Sequence, residues 1–402
     1  MTATIVPADE AFALDLLQQL VEQPSTLDNE AAIAACLDLI HDVLAPFAND
    51  AARPVHDGLP SLLMRFGQGP AERMLTLCGH VDVVPAEGAW STPPFTLTER
   101  GDRLTGRGVA DMKGGVAAAV AAIHALARSG RLDECRLELA ITGDEEAGSE
   151  RGVRALLADG VFRGRMVVCP EPTALDVYLG NRGVVACEII IQGRGGHAGM
   201  IHALDSPIGP AVALCQAIEA MPFVARDERF SPPTPSVAIV RIDAGATLPV
   251  TNVVPDTAAI VLDRRMLPAE RIDEVVTEIE SLVADVVREP FRASLRVSKR
   301  WPPCETSPDA LVSRASVAAV KAAGRAGRFD MDLPANDTSW FVAHGLPAIL
   351  LGPGDPLQAH ATDEALDRSQ FRDAIAVYAA LALAVVSLPG DDPAGLTKEH
   401  PV

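Results

Sequence analysis

Arg73-Met74-Leu75-Thr76-Leu77-Cys78-Gly79-His80-Val81-Asp82 joins a short apolar run to a histidine and an aspartate. A run of this length reads as a buried strand, and the glycine after it marks a turn. The arrangement recurs along the chain. Arg136 to Thr142 is followed by Gly143-Asp144-Glu145-Glu146, Met166 to Cys169 by Pro170-Glu171, and Ala348 to Leu351 by a Gly/Pro loop ending at His360. A further acid, Asp111, opens an Ala-rich helix over Gly114–Arg128 that stops at Gly130. Strands alternating with helices predict an α/β domain with a mostly parallel sheet. In such sheets ligands bind beyond the carboxyl ends of the strands. One sheet edge should therefore collect His80, Asp111, a glutamate of Glu145-Glu146, Glu171 and His360.

Outward from this core, residues 9–45 read as an amphipathic helix pair broken at Gln23-Pro24-Ser25, and a helix is expected near Glu150–Ala158. After Gly180 the pattern changes. Val184–Gln192 reads as a strand, Ser206–Met221 as a helix, Ser236–Asp243 and Thr257–Asp263 as strands, Ala269–Arg288 as a helix and Phe291–Val297 as a strand. That β-α-β-β-α-β order is the ferredoxin-like arrangement. It predicts a compact α+β domain over 183–297, inserted into a catalytic domain formed by 1–182 and 298–402. Past Trp301-Pro302-Pro303 the α/β pattern resumes, with helices over Asp309–Ala323 and near Gln370–Leu388 and a frayed tail from Gly390. No internal repeat is present.

The composition narrows the function. Lys and Arg total 34 against 54 Asp and Glu, a net charge of −20. Nucleic-acid affinity comes from Lys and Arg neutralising phosphates, and anionic membranes attract basic patches. Neither partner is expected, and the acidic balance reads as a solvated surface. Hydrophobic residues make up 48% of the 402, enough for large cores, but aromatics only 4%, so packing must lean on Ala, Val, Leu and Ile. The seven cysteines, Cys36, Cys78, Cys135, Cys169, Cys187, Cys215 and Cys304, are odd in number and lack CxxC spacing. Several lie in apolar runs, which fits buried thiols in a reducing compartment. No basic-then-apolar leader opens the chain, and no apolar stretch approaches the ~20 residues that span a bilayer. A cytoplasmic protein is expected.

Imidazole and carboxylate donors without a thiolate cluster suit zinc, cobalt or manganese. Two histidines with three or four carboxylates exceed what one tetrahedral ion needs. They suffice for two divalent ions, each with one His and one terminal Glu, and Asp111 between them. Such ions sit ~3.5–4 Å apart and hold a hydroxide. Taken singly, a His-x-Asp or a Glu-Glu pair is usually structural or a solvated turn. Their common placement at strand ends carries the case.

The chain resembles the dizinc deacylase and exopeptidase family of acetylornithine deacetylase, succinyl-diaminopimelate desuccinylase, aminoacylase and glutamate carboxypeptidase. The matching stretches are Gly79-His80-Val81-Asp82-Val83-Val84-Pro85 with Trp90 and Pro93-Pro94-Phe95, then Gly106-Arg107-Gly108-Val109-Ala110-Asp111-Met112-Lys113-Gly114-Gly115. Asp144-Glu145-Glu146-Ala147-Gly148-Ser149, Glu171-Pro172-Thr173 and Ala359-His360-Ala361-Thr362-Asp363-Glu364 follow in order. The resemblance implies that His80 and Glu171 bind one ion, that Glu146 and His360 bind the other, and that Asp111 bridges them. Asp82 would orient the His80 ring, a general device for ligating histidines. Glu145 would be the general base acting on a metal-bridged hydroxide or its parent water.

In the inserted domain, Gly195-Gly196-His197-Ala198 resembles a family segment, which implies that His197 reaches the partner subunit's site in a homodimer and stabilises the oxyanion. Asn252, Arg265 and Arg182 look like contacts to a substrate carboxylate or the oxyanion; for the arginines a surface ion pair is the plain alternative. The expected reaction is hydrolysis of an amide in a small N-acyl amino acid. A dipeptidase, a hydrolase of a carbamoyl, formyl or aryl amide, and a non-catalytic metal-binding protein are the alternatives; retention of Glu145 argues against the last. Pro334-Ala335-Asn336-Asp337-Thr338-Ser339-Trp340 matches neither the acetylornithine nor the succinyl-diaminopimelate enzymes, so the acyl group and amine stay open.

Overall fold

The computed structural model describes residues 6–244 and 251–390; the tail expected to fray past Gly390 lies outside them. The chain forms two compact units. The first runs to Gly180 and resumes at Glu305–Asp330 and from Asn336; the second is Asn181–Cys304 with Met331–Ala335. The sequence places these limits at 182/183 and 297/298.

The first unit is built on one sheet. Four neighbouring strands, in the order Leu137–Thr142, Leu75–His80, Met166–Cys169 and Ala348–Leu350, run parallel. They are the four apolar runs that precede the candidate ligands, so their carboxyl ends lie along one edge. Leu62–Phe66 and Val177–Asn181 flank this block antiparallel, and the sequence reading missed both. Every residue of Leu75–His80, Leu137–Thr142 and Met166–Cys169 is buried. Covering both faces is what makes such strands continuously apolar rather than alternating. The Lys113–Arg128 helix packs against Pro7–Val21 and Arg368–Ser387. Another core, with Cys78, Ala140, Val167, Cys169 and Leu350 from the sheet, packs on Phe341 and the Val153–Ala158 helix.

The Arg368–Ser387 helix corrects one expectation. It has 20 residues and is apolar enough, by length and composition, to cross a membrane. Most of it is buried inside the unit, against Lys113–Arg128 and Leu311–Ala322, as in the core helix of a globular domain. The sequence reading gave this helix as near Gln370–Leu388, where Arg372 and Asp373 interrupt the apolar run.

The second unit is a four-stranded antiparallel sheet in the order Ser236–Ala244, Thr257–Met266, Gly183–Gln192, Arg292–Trp301. With helices Ile208–Glu219 and Ile272–Val286 it has the ferredoxin-like chain order. Val185, Cys187, Ile189 and Ile191 alternate along the central strand and pack on Leu214, Ile218, Val275 and Ile279. This period of two fixes the register, because a slip of one residue would turn the whole stripe outward. Ile189→Ala, in the middle of the stripe, should cost about 2–5 kcal/mol. On the opposite face Glu188 pairs with Arg241 and Arg296.

Candidate metal centre

His80 ends its strand, buried. Its Nδ1 lies 3.0 Å from the Asp82 carbonyl oxygen. That oxygen only accepts, so Nδ1 carries a proton and Nε2 presents a lone pair unless it too is protonated. Nε2 has no hydrogen-bond partner, yet Asp111 Oδ1 stands 3.3 Å and Glu171 Oε1 3.5 Å away. Acceptors face one another here, and only a proton or a cation can sit between them. An N–H···O bond would close to about 2.9 Å. Ligand atoms about 2.1 Å from a tetrahedral zinc stand about 3.4 Å apart. The observed spacing fits the ion.

A second triad shares the aspartate. His360 Nε2 lies 3.4 Å from Asp111 Oδ2 and 3.0 Å from Glu146 Oε2. The two oxygens of Asp111 thus face different histidines, as a bridging carboxylate does. Within each triad, His80-Asp111-Glu171 and Asp111-Glu146-His360, the donor atoms all lie within 4.8 Å of one another. The donors are nitrogen and oxygen only, which suits zinc, cobalt or manganese.

The charge balance also calls for cations. Burial pulls His80 down, but Asp82, Asp111 and Glu171 hold it well above its ordinary range. Contacts with Asp111 and Glu146 raise His360 to about 10. Burial lifts Glu171 to about 8, and Asp111 and Glu146 add to the rise. Burial likewise holds Glu145 well up, with Asp337, Glu171 and Glu146 adding and His80 opposing. Asp111 alone is lowered: its contacts with His360 and His80 outweigh burial. Bound divalent ions would satisfy these carboxylates in their ionised forms.

Local structure sets each group. Asp82, fully buried, accepts the backbone N–H groups of Glu145 at 3.3 Å and Glu146 at 3.0 Å. Its Oδ1 is also 3.3 Å from His80 Nδ1. One carboxylate therefore ties a strand end to the turn that carries Glu145 and Glu146. The Asp144 carbonyl accepts from Ala147 and Ser149, and Gly148 at φ 112° ends the turn in a conformation that suits glycine. Gly114-Gly115 has its own reason: a Cβ on Gly115 would lie 2.0 Å from the Pro170 carbonyl oxygen, next to Glu171.

Sequence reasoning gave no role to three buried acids here. Asp144 accepts the Arg151 N–H at 2.6 Å. Asp337 accepts the Ser149 hydroxyl at 2.5 Å, and burial raises it to about 7. Glu364 takes backbone N–H groups of the Asp111 loop. All three stood inside quoted stretches, Asp144 and Glu364 in the matching motifs and Asp337 in the segment that matches neither enzyme, and nothing but their neighbours distinguished them from solvated acids.

The other expected site residues belong to the second unit. His197 and Asn252 come together: Asn252 Nδ2 is placed 3.3 Å from His197 Nε2, and the Ala198 N–H donates to the Asn252 carbonyl at 2.8 Å. The Gly199 N–H donates to His197 Nδ1 at 3.1 Å. A neutral imidazole has one lone pair, so Nε2 carries the proton and the Asn252 amide oxygen should face it. Arg265 pairs with Asp263 at 2.7 Å. Arg182 is buried; its guanidinium donates to the carbonyls of Pro232 and Thr234 and lies 5.1 Å from the Phe230 ring centroid. Among the other histidines, His124 stacks on Phe12 at 4.4 Å.

Nitrogen and carboxylate donors of this composition, on the carboxyl edge of a parallel sheet, mark the class of proteins that bind divalent metal ions. Comparison with known proteins narrows the class. Residues 76–384 match the model of peptidase family M20/M25/M40, and the chain belongs to this family. It is 33% identical over 346 residues to a succinyl-diaminopimelate desuccinylase of Gluconacetobacter diazotrophicus, covering 82% of this chain and 86% of the relative. It is 31% identical over 330 residues to an acetylornithine deacetylase of Myxococcus xanthus, covering 81% and 82%. An M20 family metallo-carboxypeptidase from Sulfolobus solfataricus shares the fold, with a TM-score of 0.78 at 17% identity over 94% of this chain and 99% of that one. Human carnosine dipeptidase 1 does so with a TM-score of 0.75 at 18% identity, over 95% and 97%. The chain is a metallo-amidohydrolase, and divalent metal ions are the family's cofactor.

Proposed function

We propose that this protein hydrolyses the amide bond of a small N-acyl amino acid, using two divalent ions, with zinc the first choice. The observation that carries the reading is the pair of donor triads sharing Asp111, with Glu145 on the turn that Asp82 holds and within electrostatic reach of His80, Glu171 and Glu146. The names of the relatives, a desuccinylase and a deacetylase, support a deacylase over a dipeptidase. His80, Asp111 and Glu171 would hold one ion, and Asp111, Glu146 and His360 the other. When bound, such ions polarise the scissile carbonyl and lower the pKa of water to about 7. Glu145 removes the proton from the attacking water and delivers it to the leaving amine. Asp82 keeps the His80 ring and the Glu145 turn in register. His197 donates its Nε2–H to the oxyanion in place of the Asn252 oxygen, while Asn252 and Arg265 contact the substrate carboxylate or the oxyanion; Arg182, expected to join them, is buried with its guanidinium on the Pro232 and Thr234 carbonyls and braces that loop instead. Seven free cysteines fit a cytoplasmic, reducing location.

We further propose a homodimer through the second unit. Val240 and Ile242, 59% and 56% exposed, lie on the edge strand Ser236–Ala244, and the Ile208–Glu219 helix beside it exposes Ile208 and Val212. An apolar edge strand left open is an aggregation hazard unless a partner covers it. In such a dimer His197 would serve the neighbouring subunit.

Steady-state rates on N-acyl amino acids, dipeptides and aryl amides, each with zinc, cobalt or manganese, test the reaction. N-acyl amino acids should be turned over fastest; a preference for dipeptides would overturn the deacylase reading. Mixing inactive His197→Ala and Glu145→Ala subunits tests the dimer. Random exchange makes half the dimers mixed, each with one intact site, so about a quarter of wild-type activity should return if sites act independently. No recovery after demonstrated exchange would place His197 in its own subunit's chemistry or in none.

A further inference from the structure

We infer that Glu364 is the positioning residue of the His360 half of the metal centre, an inference that rests on the two-ion reading above. Its carboxylate is fully buried. Oε2 accepts from Arg107 Nη1 at 2.8 Å and the Gly108 N–H at 2.9 Å. Oε1 accepts from the Ala110 N–H at 2.8 Å and the Asp111 N–H at 3.1 Å. Successive N–H groups of one loop thus converge on an anion, forming a nest occupied by the protein's own side chain. The backbone adds a further tie, since the Gly106 N–H donates to the Glu364 carbonyl at 3.1 Å. Gly108, at φ 84°, lets the loop turn around the carboxylate; a Cβ there would also lie 2.7 Å from Val83 Cγ1.

Glu364 is four residues past His360 and clasps the segment ending in Asp111. It therefore fixes the spacing between two ligands that no strand holds. His80 ends its strand and Glu171 follows its strand by two residues, so they get their positions from the sheet. His360 lies in a loop at φ 63°. Asp111 precedes the Lys113–Arg128 helix in another loop. Loss of the clasp should therefore fall on the ion shared by Asp111, Glu146 and His360 more than on the ion held with His80 and Glu171.

Glu364→Gln is the sharp variant. Each carboxylate oxygen takes two donors, so whichever end the amide NH2 occupies meets two N–H groups as a third donor. The side chain keeps its size and loses its match. Stepwise metal affinities of the apoprotein, titrated with zinc against a chromophoric chelator, give a readout independent of turnover. The first ion should bind within about threefold of wild type and the second about 10–100-fold more weakly, the range for loss of a group that orients metal ligands. Glu364→Asp keeps the charge but shortens the reach, so it should fall between the two; it carries the test if Gln does not fold. Second-ion affinity within about threefold of wild type in the folded variants would overturn the inference, as would an equal fall for both ions. Wild-type protein that binds only one ion would instead remove the two-ion reading beneath it.

Discussion

The two halves of the metal centre are built differently. His80 ends one parallel strand and Glu171 follows the adjacent one by two residues, and every residue of both strands is buried, so the sheet itself sets their spacing. Asp111, Glu146 and His360 come from a loop, a short turn and another loop, and buried carboxylates hold these in place. Asp82 pins the turn and Glu364 the Asp111 loop. A strand end is positioned by many cooperative backbone bonds. A loop ligand depends on one or two side chains, each open to removal by a single substitution. The contrast predicts which changes damage chemistry, which damage metal binding, and which tune the site.

The largest effect belongs to a residue that is neither ligand nor strut. Glu145→Ala should leave both ions bound and the fold intact, while kcat falls by about 10²–10⁴-fold or more, the usual cost of a lost general base. Metal content by elemental analysis beside single-turnover rates checks this. A variant that retained more than about a tenth of wild-type kcat would remove Glu145 from that role.

Asp82→Asn should come next, and it joins the two halves. An amide NH2 would confront either the Glu145 or the Glu146 N–H, and His80 would lose an anionic neighbour. Affinity for both ions should fall by about 10–100-fold. Against the selective loss expected of Glu364→Gln, this even loss is diagnostic. If Asp82→Asn weakened only one ion, the view of Asp82 as the shared support would be wrong.

The sheet half was legible in the sequence because parallel strands buried on both faces read as apolar runs, and each such run ends at its ligand. Met166–Cys169 was read to the residue. The antiparallel strands Leu62–Phe66 and Val177–Asn181 were missed. Arg65 interrupts the first, although it is buried with its guanidinium on Glu138 and Asp50. Gly180 and Asn181 weaken the second. In the other unit the succession of strand and helix segments from Val184 to Val297 made the ferredoxin-like order readable, while the two-residue alternation of Gly183–Gln192 shows only in its burial, because Val184, Ala186 and Ile190 are apolar too. The struts were not legible. Glu364 and Asp337 look like any acid beside a turn, and only the neighbours that folding brings from far along the chain, Arg107 and Ser149, give them their roles.

Asp337 offers the smallest and most local test of the loop half. Ser149, buried at φ 61°, holds a left-handed conformation that is uncommon for residues other than glycine. Its hydroxyl donates to Asp337, and its N–H donates to the Asp144 carbonyl that closes the Glu145 turn. Burial raises the Asp337 carboxyl to about 7 in the folded protein, although the Ser149 bond opposes the rise. An acid whose folded pKa is raised binds its proton more tightly when folded. Its contribution to stability is therefore present below the unfolded value of about 4 and is lost as pH rises through the folded value. Metal-free wild type should thus lose stability between pH 5 and pH 8 partly through this group. Asp337→Asn removes the titration and keeps an oxygen for the Ser149 hydroxyl. Its Tm relative to wild type should improve from pH 5 to pH 8 by a few degrees, since about 1 kcal/mol moves Tm by about 2–4 °C in a domain of this size. Metal-free scans of both proteins at the two pH values decide it: a Tm difference independent of pH would mean that Asp337 does not titrate in this interval.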